Sequence, residues 1–140
     1  MCAKKLTDTD YARLADFRYA LRLYLDFSKT AARAEGLQPQ QHQALLVLRG
    51  AASAHSTVSY LAERLCVRHN TAVELAKRLE SASLISRNQS TVDGRVTLLS
   101  LTPQGIAKIQ KLTHIHQAEL RNISPQITAI LQDLESSTPA

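Results

Sequence analysis

Hydrophobic residues recur at alternating steps of three and four along the first quarter of the chain. This spacing is the period of one face of an α-helix. Asp8 or Thr9 can cap the N-terminus of such a helix, and Gly36 follows it as a C-terminal stop. We therefore predict a helix over about residues 10–34 with a seam that requires a partner helix. The seam consists of Leu14, Phe17, Leu21, Tyr24 and Ser28.

The central part of the chain predicts three shorter helices. One covers about residues 39–49 and begins at a proline, a residue favoured in the first helical turn. A second follows Thr57, and a third covers about residues 69–82 after the short connection 66–68. Two short helices joined by a few residues are typical of a helix-turn-helix. Their inward residues are Ala44, Leu45, Leu48, Val58, Leu61, Leu65, Ala72, Leu75, Ala76 and Leu79.

The pattern changes after residue 83. Residues 84–87 and 95–101 predict two short strands, and the Asp93-Gly94 pair between them favours a tight turn. A hairpin directly after a helix-turn-helix is a wing. Thr102 then caps a further helix reaching about residue 122, and Pro125 is expected to break it before a last short helix. The sequence predicts a mainly α fold with a small β-hairpin wing.

Composition narrows the class of protein. The chain has 140 residues, of which 44% are hydrophobic and 21% charged, so a globular protein of one domain is expected. A net charge of +5 favours a polyanionic partner, although charge alone gives no better than even odds of nucleic acid. No apolar run is long enough for a signal peptide or a membrane span. Cys2 and Cys66 lack CxxC spacing, which favours a reducing cytoplasm.

Several segments together resemble the MarR family of transcriptional regulators. Each segment alone is common in helices, but their order and spacing are specific. The matching segments run from Gly36 to Leu46, Val58 to Leu65, Arg68 to Val73, Lys77 to Glu80, Asp93 to Arg95 and Leu99 to Gly105.

The resemblance implies a homodimer that reads an inverted repeat in double-stranded DNA with two winged helix-turn-helix lobes. Members commonly repress a nearby gene and release DNA when a small phenolic compound, a metal or an oxidant acts on them. We accordingly expect an N-terminal dimerisation helix over 1–35, a DNA-binding domain over 36–103 and C-terminal dimerisation helices over 104–140. An enzyme is not expected, because nucleophile elbows, glycine-rich phosphate loops and paired carboxylates are missing from the sequence.

The candidate DNA contacts lie on the third central helix and in the wing. A recognition helix presents polar side chains to base edges while its other face packs inward. The resemblance assigns Arg95 to the minor groove, with Asp93 holding it, and Gly94 stands where many members carry a further arginine. Arg64 and Arg87 are phosphate contacts or solvated surface. The helix candidates are Arg68, His69, Asn70, Thr71, Val73, Glu74, Lys77 and Arg78.

Glu74 leaves two interpretations open. A carboxylate facing DNA can accept a hydrogen bond from cytosine, or it can form a surface ion pair with Lys77 or Arg78, which we favour. Thr71 with Glu74 also matches a capping box, which would move the start of the helix inward. Glu74 and Gly94 together favour a rival class, a winged-helix adaptor for proteins that does not bind DNA.

No cofactor and no metal site are predicted. His114 and His116 are two residues apart on a helix and point to different faces, unlike a ligand pair. His42 could meet His116 in the fold, but a helix histidine more often lies in a seam or at the surface. Cys66 is expected to be small and buried in the helix-turn-helix turn. With no cysteine on the first helix, oxidant sensing is not favoured.

Overall fold

The structure is a computed structural model that describes residues 3–136. Within that range it contains five α-helices, one 3₁₀ turn and one two-stranded antiparallel sheet, which confirms the predicted mainly α fold with a hairpin wing. The elements in chain order are α1 (Asp8–Ala34), α2 (Pro39–Gly50), the 3₁₀ turn (Ser53–His55), α3 (Val58–Leu65), α4 (His69–Ser81), β1 (Ile85–Gln89), β2 (Thr97–Leu101) and α5 (Pro103–Ser136).

The chain divides into two compact units. The central unit comprises residues 31–113, and the terminal unit comprises residues 3–30 and 114–136 of the described range. The central unit therefore holds α2, α3, α4 and both strands. The terminal unit is formed by most of α1 and the last two thirds of α5.

The first helix begins earlier than predicted, and neither Asp8 nor Thr9 caps it. Thr7 does: its hydroxyl accepts from the Asp10 backbone N–H at 3.3 Å, and Asp10 Oδ2 accepts from the Thr7 backbone N–H at 2.8 Å. This reciprocal pair needs an acceptor three residues after the cap. Asp8 and Thr9 have Tyr11 and Ala12 at that position, which cannot supply one.

The end of α1 follows the prediction. Gly36 has a φ of +77°, a left-handed conformation that glycine adopts without the steric penalty of a Cβ. This turn lets the Gly36 and Leu37 N–H groups donate to the carbonyls of Arg33 and Ala32, both at 3.0 Å. The chain then enters α2, where Gln38 N–H donates to Gln41 Oε1 at 2.8 Å.

The core of the central unit is made by the predicted apolar stripes. Ala44, Leu45, Leu48, Leu61, Ala72, Leu75, Ala76 and Leu79 are all buried, as the helical periods of α2, α3 and α4 predict. Val58 and Leu65 are partly buried and pack against this core. Three further contributions come from β2 and α5, namely Leu99, Ile109 and Leu112. Burial of these side chains is the main favourable term that holds α4 in place.

Both strands are displaced from their predicted bounds. They pair antiparallel, with Ile85 opposite Leu101 and Gln89 opposite Thr97. Val96 N–H donates to the Asp93 carbonyl at 3.0 Å, so the turn includes Arg95 and Val96. The predicted strand over 95–101 therefore starts two residues too early.

The predicted break at Pro125 is wrong. Helix α5 continues through Pro125 to Ser136. A proline inside a helix removes one backbone hydrogen bond and crowds the carbonyl four residues earlier, at a cost of about 3 kcal/mol. The segment beyond Pro125 belongs to the terminal unit, where Asp133 Oδ2 lies 3.6 Å from Arg13 Nε of α1. None of residues 126–136 is buried, so burial within the chain does not explain why the helix continues.

The terminal unit leaves much of its apolar surface exposed. Its buried centre includes His116, whose Nε2 lies 2.8 Å from Ser28 Oγ and whose ring makes edge contacts with Tyr24 and Phe27. Of the predicted seam, Leu14 and Leu21 are exposed and Phe17 is half-buried, as expected for a helix that needs a partner. The exposed large apolar residues of the unit are Leu6, Tyr11, Leu14, Tyr19, Leu21, Leu23, Leu25, Leu120, Leu131 and Leu134.

Candidate nucleic-acid interface

Helix α4 separates an apolar face from a polar face. The predicted contacts on the outer face are exposed, except for Val73, which is half-buried. The helix starts at His69, and Arg68 is its N-cap with an extended backbone (φ −67°, ψ 154°). The alternative start at a Thr71–Glu74 capping box is therefore wrong. The exposed members of the set are Arg68, His69, Asn70, Thr71, Glu74, Lys77 and Arg78.

The turn between α3 and α4 differs from the prediction at Cys66. This residue has a φ of 55° and an exposed side chain, so the expectation of a small buried residue is wrong. A left-handed C-cap lets the Cys66 and Val67 N–H groups donate to the carbonyls of Glu63 and Ala62. Val67, rather than Cys66, packs against the core from this turn.

Glu74 forms a surface ion pair. Its Oε1 lies 3.5 Å from Lys77 Nζ one turn along α4, and both side chains are more than half exposed. This geometry agrees with the interpretation that we favoured for this carboxylate. Glu74 also borders a groove of about 310 Å³ that runs along α4 beside Asn70 and Arg78 and reaches Gln40 of α2.

The wing presents Arg95 at its tip. Asp93 Oδ1 accepts from the Arg95 backbone N–H at 3.0 Å and from Arg95 Nε at 3.2 Å, and Oδ2 lies 3.5 Å from Nη2. Asp93 is itself held because its N–H donates to Ser90 Oγ at 3.3 Å. The Arg95 side chain is nevertheless 92% exposed. The arrangement therefore orients a cation in solvent without burying it.

Asp93 should titrate below its usual range. Hydrogen bonds from the Arg95 backbone N–H, and then from the Arg95 side chain, hold the pKa of Asp93 below 3.8. The orienting pair is thus present above that range and lost as the pH falls through the lowered pKa. In Arg95→Ala, we expect carboxyl ¹³C NMR to show a rise in the Asp93 pKa that stops short of 3.8, because the backbone donor remains. An unchanged pKa would contradict the observed side-chain pairing.

A cleft of about 470 Å³ joins the wing to the start of the helix-turn-helix. Arg95 and Thr97 line it from the wing, and His69 lines it from the first residue of α4. Thr57 and Ser59 complete it from the start of α3, where Thr57 Oγ1 accepts from Tyr60 N–H at 3.1 Å. Hydroxyls, helix N-terminal amides and a guanidinium are the groups that contact DNA phosphates. Thr57 and Ser59 were not among the predicted site residues, and only the folded hairpin brings them beside Arg95.

Two further arginines are engaged within the protein. Arg87 donates from Nε and Nη2 to the two carboxylate oxygens of Glu80, at 3.0 and 3.1 Å. The Arg64 guanidinium lies 6.0 Å from the centre of the Tyr60 ring. Arg87 is therefore a paired surface residue in this structure, and its predicted alternative as a phosphate contact is not evident from the geometry.

Across residues 3–136, no group of three or more His, Cys, Asp or Glu side chains is arranged to hold a metal ion. His116 lies beside Ser28, Tyr24 and Phe27 in the terminal unit. Cys66 is a free thiol, and Cys2 lies outside the described residues. No helix of the described part has both the length and the apolar character needed to cross a bilayer.

Comparison with known proteins identifies the family. Residues 35–96 match the family model described as MarR family. The chain is 31% identical over 121 residues to a Thauera aromatica protein described as a transcriptional regulatory protein for the hcr operon, covering 86% of this chain and 69% of that protein. The chain belongs to the MarR family. It is therefore a transcriptional regulator and not an enzyme.

Other known proteins are similar to this chain in sequence or in fold. The chain is 37% identical to the HTH-type transcriptional repressor MdtR of Bacillus subtilis over 78 residues. This match covers 56% of this chain and about half (49%) of MdtR. AbsC, a MarR family transcriptional regulator from Streptomyces coelicolor, superposes with a TM-score of 0.75 at 22% identity, covering 96% of this chain and 93% of AbsC. MepR of S. aureus in complex with DNA superposes at 0.65 and 22% identity, covering 96% of this chain and all of MepR.

Proposed function

We propose that this MarR-family regulator is a sequence-specific repressor that binds an inverted-repeat operator as a homodimer. The observation that carries the proposal is the cleft in which His69 at the start of α4 and Arg95 at the wing tip lie together. With a helix in the major groove and a wing arginine in the adjacent minor groove, the protein would contact the DNA phosphate backbone that separates the two grooves. MepR with DNA and the repressor MdtR support the partner and the sign of regulation.

Within the proposal, residues of α4 take two kinds of contact. Asn70 suits an adenine, Val73 suits a thymine methyl, and Lys77 and Arg78 reach guanine or phosphate from the exposed face. Arg68, His69 and Thr71 lie at the helix start, where backbone amides also attract anions. Glu74 stays paired with Lys77 and reduces the positive charge on the exposed face of α4.

A second copy of the chain is the partner that the terminal unit fits. Exposed leucines and tyrosines on α1 and exposed leucines on α5 are apolar area that an isolated chain leaves in water. Burying them between two chains would double the net positive charge available to DNA. Such a dimer would act in the cytoplasm, and by family resemblance a small-molecule effector would release the operator.

Selection of bound duplexes from a random library tests the function and the assembly together. We expect an inverted repeat whose half-sites are about one helical turn apart, with the logarithm of affinity falling steeply with the logarithm of salt concentration. A single unrepeated site would contradict the dimer while leaving DNA binding intact. Failure to select any duplex at low ionic strength would contradict DNA binding and favour the adaptor.

A further inference from the structure

The two strands of the wing are attached to the central unit by different means. On the β2 side, Leu99 is buried, its N–H donates to the Ser56 carbonyl at 2.7 Å, and Ser56 Oγ donates back to the Leu99 carbonyl. Thr57 and Leu98 form a further bridge. On the β1 side only Ile85 is buried, and the following four residues of the strand are exposed. Apolar packing therefore fixes β1 only at its root.

The Glu80–Arg87 pair attaches β1 directly to α4, in addition to the backbone pairing of β1 with β2. Glu80 lies in the last turn of α4, and Arg87 lies in the middle of β1, opposite Leu99. The two hydrogen bonds, Nε to Oε2 at 3.0 Å and Nη2 to Oε1 at 3.1 Å, form a bidentate pair with a defined direction. The Arg87 hydrogen bonds also lower the pKa of Glu80, so the pair stays charged at neutral pH.

We propose that Glu80 and Arg87 are positioning residues that set the angle of the wing to the recognition helix, and so determine whether Arg95 reaches the minor groove. The inference rests on the proposed DNA-binding function. The hairpin extends from Arg87 to Ser90, whose N–H donates to the carbonyl of Val96 beside Arg95, so at about 3.3 Å per residue the lever is roughly 10 Å long. A rotation of about 10° at Arg87 would move the tip by about 2 Å, a third of the width of a minor groove of about 6 Å.

A purely stabilising role does not account for this placement. Both side chains are more than one third exposed, and ion pairs of this kind contribute little to the free energy of unfolding. The pair instead joins two elements that must each meet DNA at the same time. Loss of the pair should therefore reduce the preference for A·T over G·C pairs under the wing and leave the thermal stability of the chain almost unchanged.

Glu80→Gln distinguishes positioning from direct phosphate contact by the sign of its effect. If the pair positions the wing, the substitution lowers operator affinity about fivefold and reduces the preference for A·T over G·C pairs under the wing. If Arg87 is a phosphate contact restrained by Glu80, freeing it raises affinity and steepens the salt dependence. Glu63→Gln, an exposed carboxylate of α3, removes the same charge and should leave the A·T preference unchanged.

A double-mutant cycle with Arg95→Ala supplies the decisive measurement. We expect Glu80→Gln to have almost no further effect in the Arg95→Ala background, because both changes remove the same wing contact. The exchanged pair Glu80→Arg with Arg87→Glu should restore affinity to within about twofold. Additive losses, or no rescue from a folded double variant, would overturn the positioning role. Strong wild-type binding in the same titration would show that the proposed function itself still holds.

Discussion

Arg95→Ala is expected to weaken operator binding by about 30-fold or more, with the fold unchanged. A specific groove contact contributes on the order of 1–3 kcal/mol, and a dimer would lose two. The side chain is 92% exposed and its hydrogen bonds go to Asp93 of its own turn, so its removal leaves no buried cavity. Fluorescence anisotropy at fixed salt measures the affinity, and circular dichroism melting checks the fold.

The matched control is Arg33→Ala, which removes the same charge from an exposed position in the last turn of α1. It should reduce affinity by much less, because a charge outside the interface acts only through screened long-range attraction. Exchanging A·T pairs for G·C pairs beneath the wing should weaken DNA binding by the wild type and should barely change DNA binding by Arg95→Ala. Equal losses in the two arginine variants would contradict a specific role for the wing tip.

The buried stripes of α3 and α4 could be predicted because their causes are local. The inward-facing residues of an amphipathic helix recur at steps of three and four. Leu61, Leu75 and Leu79 are buried, as that period predicts. The same holds for Gly36, whose positive φ ends α1 through local backbone geometry. Each of these features depends on a few neighbouring residues.

Two features could not be predicted from residue type. Pro125 carries a strong local preference against helix, yet α5 continues through it to Ser136. Cys66 looked like a core residue by its type, yet the left-handed turn directs its thiol to solvent. At both positions the usual preference of the residue type differs from the structure that the chain adopts.

The candidate interface divides in the same way. The α4 face and the Asp93–Arg95 turn lie within short segments, so their geometry could be expected from order and spacing. The cleft could not, because Thr57 and Arg95 are 38 residues apart and meet only when the hairpin folds back. The Glu80–Arg87 pair likewise depends on the angle between α4 and β1, which no spacing specifies.

Gly105→Ala is expected to destabilise the central unit by about 3 kcal/mol, or roughly 10 °C in Tm. A Cβ at this position would lie 2.2 Å from the Leu84 carbonyl oxygen and 3.5 Å from Leu101 Cβ. That oxygen cannot easily retreat, because it accepts from Thr102 N–H at 3.0 Å and belongs to a buried residue. The backbone joining α4, the wing and α5 must therefore shift. Thermal melting at one fixed protein concentration measures the loss.

Gly50→Ala provides the control for a glycine without such a neighbour. A Cβ there meets nothing within 4 Å, and alanine is the better helix former at the end of α2, so Tm should stay level or rise slightly. A melting curve for Gly105→Ala that matches the wild type would contradict the close approach of α5 to the Leu84 carbonyl. Leu84 immediately precedes β1. Such a result would therefore also contradict a rigid connection between α5 and the start of the wing, on which the angle of the wing depends.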